Sequence, residues 1–255
     1  MTTAKEKLLT LIKEKGKDGV AEWRTLHGLD EKSEDDRKKD EEDDFEDYAR
    51  LPLLDAQLAG MDLSGANLSG ANLRCANLTG CNLQGTNLRD AKMRGAQLAG
   101  ANLAGATLRN ARMNGANFRG TNLRGVDMSY AHAMSAFFAE ADLSGAILKA
   151  SCVIASDFTN AKLVGADLEL TDFRRAIVKC TDFTDARMVT TQMGSVQFLP
   201  KGNRRPNPFI FWAQLEKAKE RKEVFTTLLT LKGKPGIIAQ PWYMTGGPRA
   251  PSSSD

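Results

Sequence analysis

From Leu53 to Phe198 a large apolar side chain returns at every fifth position without a break in register. Thirty positions fall in this frame. Twenty-nine are Leu, Met, Phe or Val, and the remaining one is Ala133. Two residues before each centre the chain carries mostly Ala, elsewhere chiefly Ser, Thr, Cys or Val. An α-helix would spread a five-residue period right around its surface and leave no apolar stripe. A strand would send successive members to opposite faces, because five is odd. A coil with four short sides of five residues escapes both restrictions. Each side turns its large central residue inward and tucks the small one near a corner. The chain then bends at the Gly-rich fifth position, where glycine accepts backbone angles that other residues resist. Stacked coils place each large residue on the one twenty positions away.

The units "ANLSG", "ANLRC", "ANLTG", "ANLAG", "ADLSG" and "ADLEL" resemble the A-(D/N)-L-x-x motif of the pentapeptide-repeat family. The resemblance covers residues 51–199. It implies an all-β solenoid, a right-handed quadrilateral β-helix, with short α-helical caps at both ends. About seven coils at about 4.8 Å each give a rod about 35 Å long. Ala133, in "YAHAMSAFFAE", is the weak centre. A thin core layer is expected there, filled by Tyr130 or Phe137, with a local distortion as the alternative to a regular coil.

A repeat stack exposes apolar core and unpaired edges at its ends, so the flanking segments read as covers. Residues 1–30 place Leu8, Leu9, Leu11 and Ile12, then Val20, Trp23 and Leu26, at helical spacing. "GKDG" divides them into two short helices, and such helices often precede these repeats. A separate binding role for Trp23 is the minor alternative. Residues 31–50 hold eleven acids and five bases and read as an acidic charged linker. After the repeats, 200–208 is a linker and 209–232 an amphipathic helix anchored by Phe211, Trp212, Leu215, Phe225, Leu228 and Leu229. That helix is expected to fold onto the last coil or to join two copies, since family members often dimerise through this region. A membrane-surface role is the weakest reading of it. Residues 233–255 read as an extended or disordered tail.

Signs of catalysis are scarce. The chain has two histidines, His27 and His132, and neither has a Cys or carboxylate at a ligand-like spacing. No G-x-S-x-G, phosphate-binding loop or dinucleotide fingerprint occurs. The glycines fall in the repeat register, and a filled core leaves no cleft to raise a carboxylate pKa. A non-enzyme without cofactor or metal is expected. Cys75, Cys81, Cys152 and Cys180 form no C-x-x-C pair and read as reduced thiols. No basic-then-apolar leader opens the sequence, and no run approaches the ~20 apolar residues of a membrane span. A cytoplasmic protein is the expectation.

Function then falls to the outer surface, which the twenty-residue period maps. The first face, centred on Leu53, Leu73, Met93, Met113, Ala133, Val153, Phe173 and Met193, carries Arg74, Lys92, Arg94, Arg112, Arg174 and Arg175 against Asp55 and Asp172. The second face, centred on Leu58 and Leu78, balances two bases against two acids. The third, centred on Leu63 and Leu83, has Asp62, Asp142, Asp182 and Asp185 against Arg124 and Lys162. The fourth, centred on Leu68 and Leu88, balances four against four. Charge also drifts along the chain: residues 53–125 hold eight bases and three acids, residues 126–198 six and nine.

The leading expectation is a scaffold that binds a protein partner, an acidic one, through the six bases of the first face. Met134, Phe137, Ile154 and Ile177 are outward apolar residues, read as candidate anchors, with packing under a flanking segment as the alternative. Some family members resemble a DNA duplex in shape and negative charge, bind type II topoisomerases and protect gyrase from quinolones or toxins. That role needs an acidic rod, and this one sums to 14 bases and 12 acids. Direct nucleic-acid binding ranks lower, because the stripe lacks interleaved aromatics for stacking. A secreted effector is a further alternative.

Overall fold

The computed structural model describes residues 3–29 and 51–196. Residues 31–50 and the helix anchors Phe211, Trp212, Leu215, Phe225, Leu228 and Leu229 lie outside the described residues.

The five-residue sides close into a four-sided coil. Parallel bridges join each residue just before a centre to the one twenty positions on, from Pro52↔Asn72 to Asp172↔Gln192, on all four sides. One side shows how the ladder is built. Leu58 N–H donates to the Asn77 carbonyl at 2.9 Å, Gly60 N–H to Thr79 at 2.9 Å, and Asn77 N–H returns to Ala56 at 2.8 Å. A turn bond from Ala56 N–H to the Leu53 carbonyl, 3.1 Å, makes the corner. The fifth position of every side takes a positive φ whether or not glycine occupies it: 66° at Gly100, 58° at Ala155. A left-handed angle costs a non-glycine residue roughly 1–2 kcal/mol, so the stack imposes its corner on whatever side chain is present.

The centres are wholly buried, and so are the small residues two positions earlier. Where that small residue has a hydroxyl or thiol, in every case but Ser151 it donates to the carbonyl of a centre 23 residues back. Thr86 bonds Leu63 at 3.0 Å, Ser156 bonds Ala133 at 2.6 Å, Thr171 bonds Leu148 at 2.8 Å and Cys81 bonds Leu58 at 2.8 Å. A buried polar atom with a partner is tolerated; one without is costly. Ser151 Oγ and Trp23 Nε1 are the buried side-chain atoms without a partner among the described residues.

The Ala133 layer is regular, not distorted. His132 is bridged to both Arg112 and Cys152, and Ala133 N–H bonds the Cys152 carbonyl at 2.8 Å. Tyr130 and Phe137 do not fill the core there; they are 47% and 36% exposed. Their register explains it: Tyr130 is a corner residue and Phe137 precedes a centre, and both positions face outward. The next centre in the same coil is Phe138, stacked on Phe118 at 5.0 Å and on Phe158 at 4.8 Å. A large centre thus stands beside the small one.

Two helices lie against the first coil. Helix α1, Ala4–Lys15, begins with a capping box in which Thr3 and Glu6 bond each other's backbone. Gly16 (φ 56°) breaks the chain, and α2 runs Lys17–Leu26. Leu8, Ile12, Val20 and Trp23 are buried in one cluster with the rod's centres. Leu26, expected on that apolar face, is instead 68% exposed at the last position of α2. The rod's open edge explains two further residues. The buried Arg24 donates to the Ser69 carbonyl, at 3.3 Å, on the side facing away from the second coil. Pro52, which has no N–H, sits where a first-coil N–H would find no earlier coil among the described residues to bond.

Candidate protein-interaction surface

Three columns per face point outward: the residue before the centre, the one after it, and the corner. On the first face the column before the centres runs Pro52, Asn72, Lys92, Arg112, His132, Cys152, Asp172 and Gln192. The column after them runs Leu54, Arg74, Arg94, Asn114, Met134, Ile154 and Arg174. The ladder therefore brings the six predicted bases to one side of the rod.

They are not equally available. Arg94, Arg112 and Arg175 are exposed, and none joins an ion pair among the described residues. Arg74 and Lys92 are half-buried, and Arg74 Nε donates to Asn72 Oδ1 at 3.0 Å. Arg174 clamps Asp172, with Nη2 2.6 Å from Oδ2. The carboxylate holds the guanidinium above its ordinary pKa, chiefly through that hydrogen bond. The basic stripe is also not continuous. Arg74 to Arg112 form one cluster and Arg174–Arg175 another, with His132, Met134, Cys152 and Ile154 between them.

That middle stretch holds groups whose meaning the linear sequence concealed. Tyr130 and Phe137 stand at either border of the first face in a single coil. Each lies beneath an arginine of the preceding coil: Arg109 is 5.6 Å from the Tyr130 ring centre and Arg119 4.4 Å from that of Phe137. Only folding the sequence at twenty residues sets position 109 beside 130 and 119 beside 137. Met134, 41% exposed, lies between the two rings in sequence.

On the third and fourth faces many polar side chains find partners on the rod itself. Asparagines before the third-face centres form a ladder: Asn102 donates to Asn82 at 3.4 Å and Asn122 to Asn102 at 2.9 Å, while each Oδ1 accepts an N–H two residues on. Aspartates that replace them lose the amide donor and recruit other partners. Asp142 accepts from Ser144 N–H and Oγ and pairs with Arg124 at 3.2 Å. Burial alone would raise its pKa, but Ser144 and the nearby cations together hold it below the ordinary value. Asp127 behaves alike: burial opposes, while Ser129 and Arg109 prevail. On the fourth face Arg187 pairs with Asp167 and Glu169, and Lys149 with Glu169. Much of the acidity of the later coils is thus met by cations of the rod itself.

Among the described residues no group of His, Cys, Asp and Glu could hold a metal ion. No described helix is long and apolar enough to cross a membrane. The four cysteines are free.

A stack of five-residue sides with bridges at twenty-residue separation is the architecture of a repeat solenoid. The family model for pentapeptide repeats matches residues 53–90, 91–129 and 154–188, with eight copies. The chain is a pentapeptide-repeat protein, which implies the right-handed quadrilateral β-helix. Its fold resembles several solved structures. HetL, a pentapeptide repeat protein involved in heterocyst differentiation regulation from the cyanobacterium Nostoc sp. strain PCC 7120, is 23% identical; the match covers 58% of this chain and 83% of that one, TM-score 0.23. A trypsin-treated form of QnrB1, a plasmid-mediated fluoroquinolone resistance protein, is 18% identical over 66% of this chain and 92% of that one, TM-score 0.41. A pentapeptide repeat protein from the Arabidopsis thaliana thylakoid lumen is 19% identical over 60% and 90%, TM-score 0.33. Likeness at this level says nothing of partner or activity. No curated protein matches the sequence.

Proposed function

We propose that the protein is a non-enzymatic scaffold whose first face binds an acidic protein partner. The observation that carries this reading is the collection on one side of Arg94, Arg112 and Arg175, exposed and without an ion pair among the described residues, while Lys149 and Arg187 of the fourth face pair with neighbouring carboxylates. Exposed charges of one sign steer encounter and fix register more than they add affinity. The proposal places the protein in the cytoplasm, where its free thiols stay reduced. Joining of two copies through residues 209–232 belongs to the same proposal.

A pull-down from the native host with the wild-type chain, and with Arg74, Arg94 and Arg112 changed to Glu, tests it. Loss of the main partner in the variant is expected. An unchanged partner set sinks the basic-face reading.

A second reading rests on the aspartates of the later coils, Asp157, Asp167, Asp172 and Asp182, which could stand in for phosphates before a topoisomerase. The pairing of Asp167 and Asp172 with arginines weakens that footing. A gyrase supercoiling assay with and without a quinolone decides: neither inhibition nor protection removes the reading.

A further inference from the structure

Among the described residues of the rod, the exposed large apolar side chains, Leu54 apart, fall between positions 130 and 170: Tyr130, Met134, Phe137, Ile147 and Leu170. The stretch 130–153 is also the one the family model passes over between its matches at 91–129 and 154–188. The backbone is not what departs there, because the inter-coil ladder runs through it without interruption. What departs is the outward side chains. On the first face the sequence puts Met134 and Ile154 where Arg74, Arg94 and Arg174 stand in other coils. Tyr130 and Phe137 border them, each ring held under an arginine.

An aromatic ring fixed in place loses little conformational freedom on binding, which is the property of an anchor residue. The cation above each ring also keeps one of its faces polar. That lets the edge of the patch stay in water when unoccupied.

Resting on the scaffold reading above, we propose that this coil is the anchoring centre of the interaction surface. We further propose that its occupant is a segment of another protein with an apolar side chain between two acidic groups. The spacing follows from the stack. Arg112 and the Arg174–Arg175 pair are separated by three coil steps, about 14 Å at about 4.8 Å per step. An occupant helix spans that in about nine residues, and an extended strand in about four.

Charge argues against the other occupants. A second copy docked by a two-fold axis through Met134 and Ile154 would set the Arg94–Arg112 cluster of one chain on the Arg174–Arg175 pair of the other. Isologous contacts of that kind bring like charges together. Duplex nucleic acid would meet both arginine clusters, but it turns a charged sugar-phosphate backbone toward such a face and would leave Met134 and Ile154 against phosphate.

The test is a selection of random twenty-residue peptides against the full chain, followed by affinity measurement of a selected peptide. Wild type is compared with Met134→Ser/Phe137→Ser and with Arg94→Glu/Arg112→Glu/Arg175→Glu. All five positions are outward and partly or wholly exposed, and unchanged thermal melts confirm that each variant folds. The expected result is enrichment of acid–apolar–acid peptides that lose at least tenfold in affinity to either variant. Acidic peptides indifferent to Met134 and Phe137 overturn this inference and leave the basic-face scaffold standing. Selected peptides indifferent to both variants overturn the two together. Tighter Met134-dependent binding of a synthetic peptide of residues 31–50 than of any selected peptide would assign the surface to the chain's own acidic segment and overturn the proposal. So would a dimer seen by light scattering that Met134→Glu dissociates.

Discussion

At the scale of the residue, the fold depends on two unlike requirements at neighbouring positions. The centre is apolar, and large everywhere but Ala133; the residue two before it is small in nearly every side and, where polar, reaches a carbonyl of the preceding coil except at Ser151. Ser151 and Thr171 share that second position but differ in hydrogen bonding. Thr171 donates to Leu148 at 2.8 Å, whereas Ser151 Oγ is buried without a partner. Ser151→Ala is therefore expected to raise stability by about 1 kcal/mol, and Thr171→Ala to lower it by about 1 kcal/mol or more. Urea denaturation of the two variants beside wild type reads both signs. Equal destabilisation by both would show that the hydroxyl at this position contributes nothing specific. The core was legible in the sequence to this depth because each centre repeats the same environment. Tyr130 and Phe137 were not: an aromatic beside the one small centre reads as filling until its place in the five-residue frame is counted. That frame puts both rings outside.

Among elements, α1 and α2 meet each other by close approach and meet the rod by apolar burial. A Cβ added at Gly19 would lie 2.2 Å from the Leu11 carbonyl oxygen, which is backbone and cannot swing aside. Gly19→Ala should push α2 from α1 and cost about 1–3 kcal/mol. The emission of Trp23, 4% exposed in the native chain, should shift to the red. Emission and stability at wild-type values would mean that the helix pair does not pack this way. The helices were legible from their apolar spacing and from the glycine between them. Arg24 was not, because a carbonyl left open at the first coil exists only once the coil is built.

The aspartates before the centres give the rod an acid limb. Asp127 and Asp142 titrate below their ordinary values when folded, so the unfolded chain takes up protons first as pH falls. Their contribution is complete above the unfolded value of about 3.9. It is lost as pH drops through that value toward the lower native ones. Thermal melts between pH 6 and pH 2.5 should fall on the acid side. The Asp127→Asn/Asp142→Asn variant, which keeps the acceptor for Ser129 and Ser144, should fall less steeply. Parallel curves for the two proteins would assign the acid limb to other groups.

Across the whole molecule, a repeat solenoid separates what makes the fold from what makes the function. Each centre, small residue and corner is set by stacking, which leaves three outward columns per face free to vary. The period of twenty was enough to sort charge by face before any coordinates. It did not tell that Arg174 is held by Asp172 or that Arg74 leans on Asn72. Those contacts join residues two apart on one side and depend on side-chain conformations that no column of letters contains. The central claim is that the first face meets the partner. Its most direct test is a comparison of matched charge reversals on opposite faces, read as affinity for the protein captured from the native host. Arg94→Glu/Arg112→Glu on the first face should weaken that affinity at least tenfold, while Asp142→Lys/Asp182→Lys on the third leaves it within twofold. Equal losses from the two faces, or a loss confined to the third, would contradict the account.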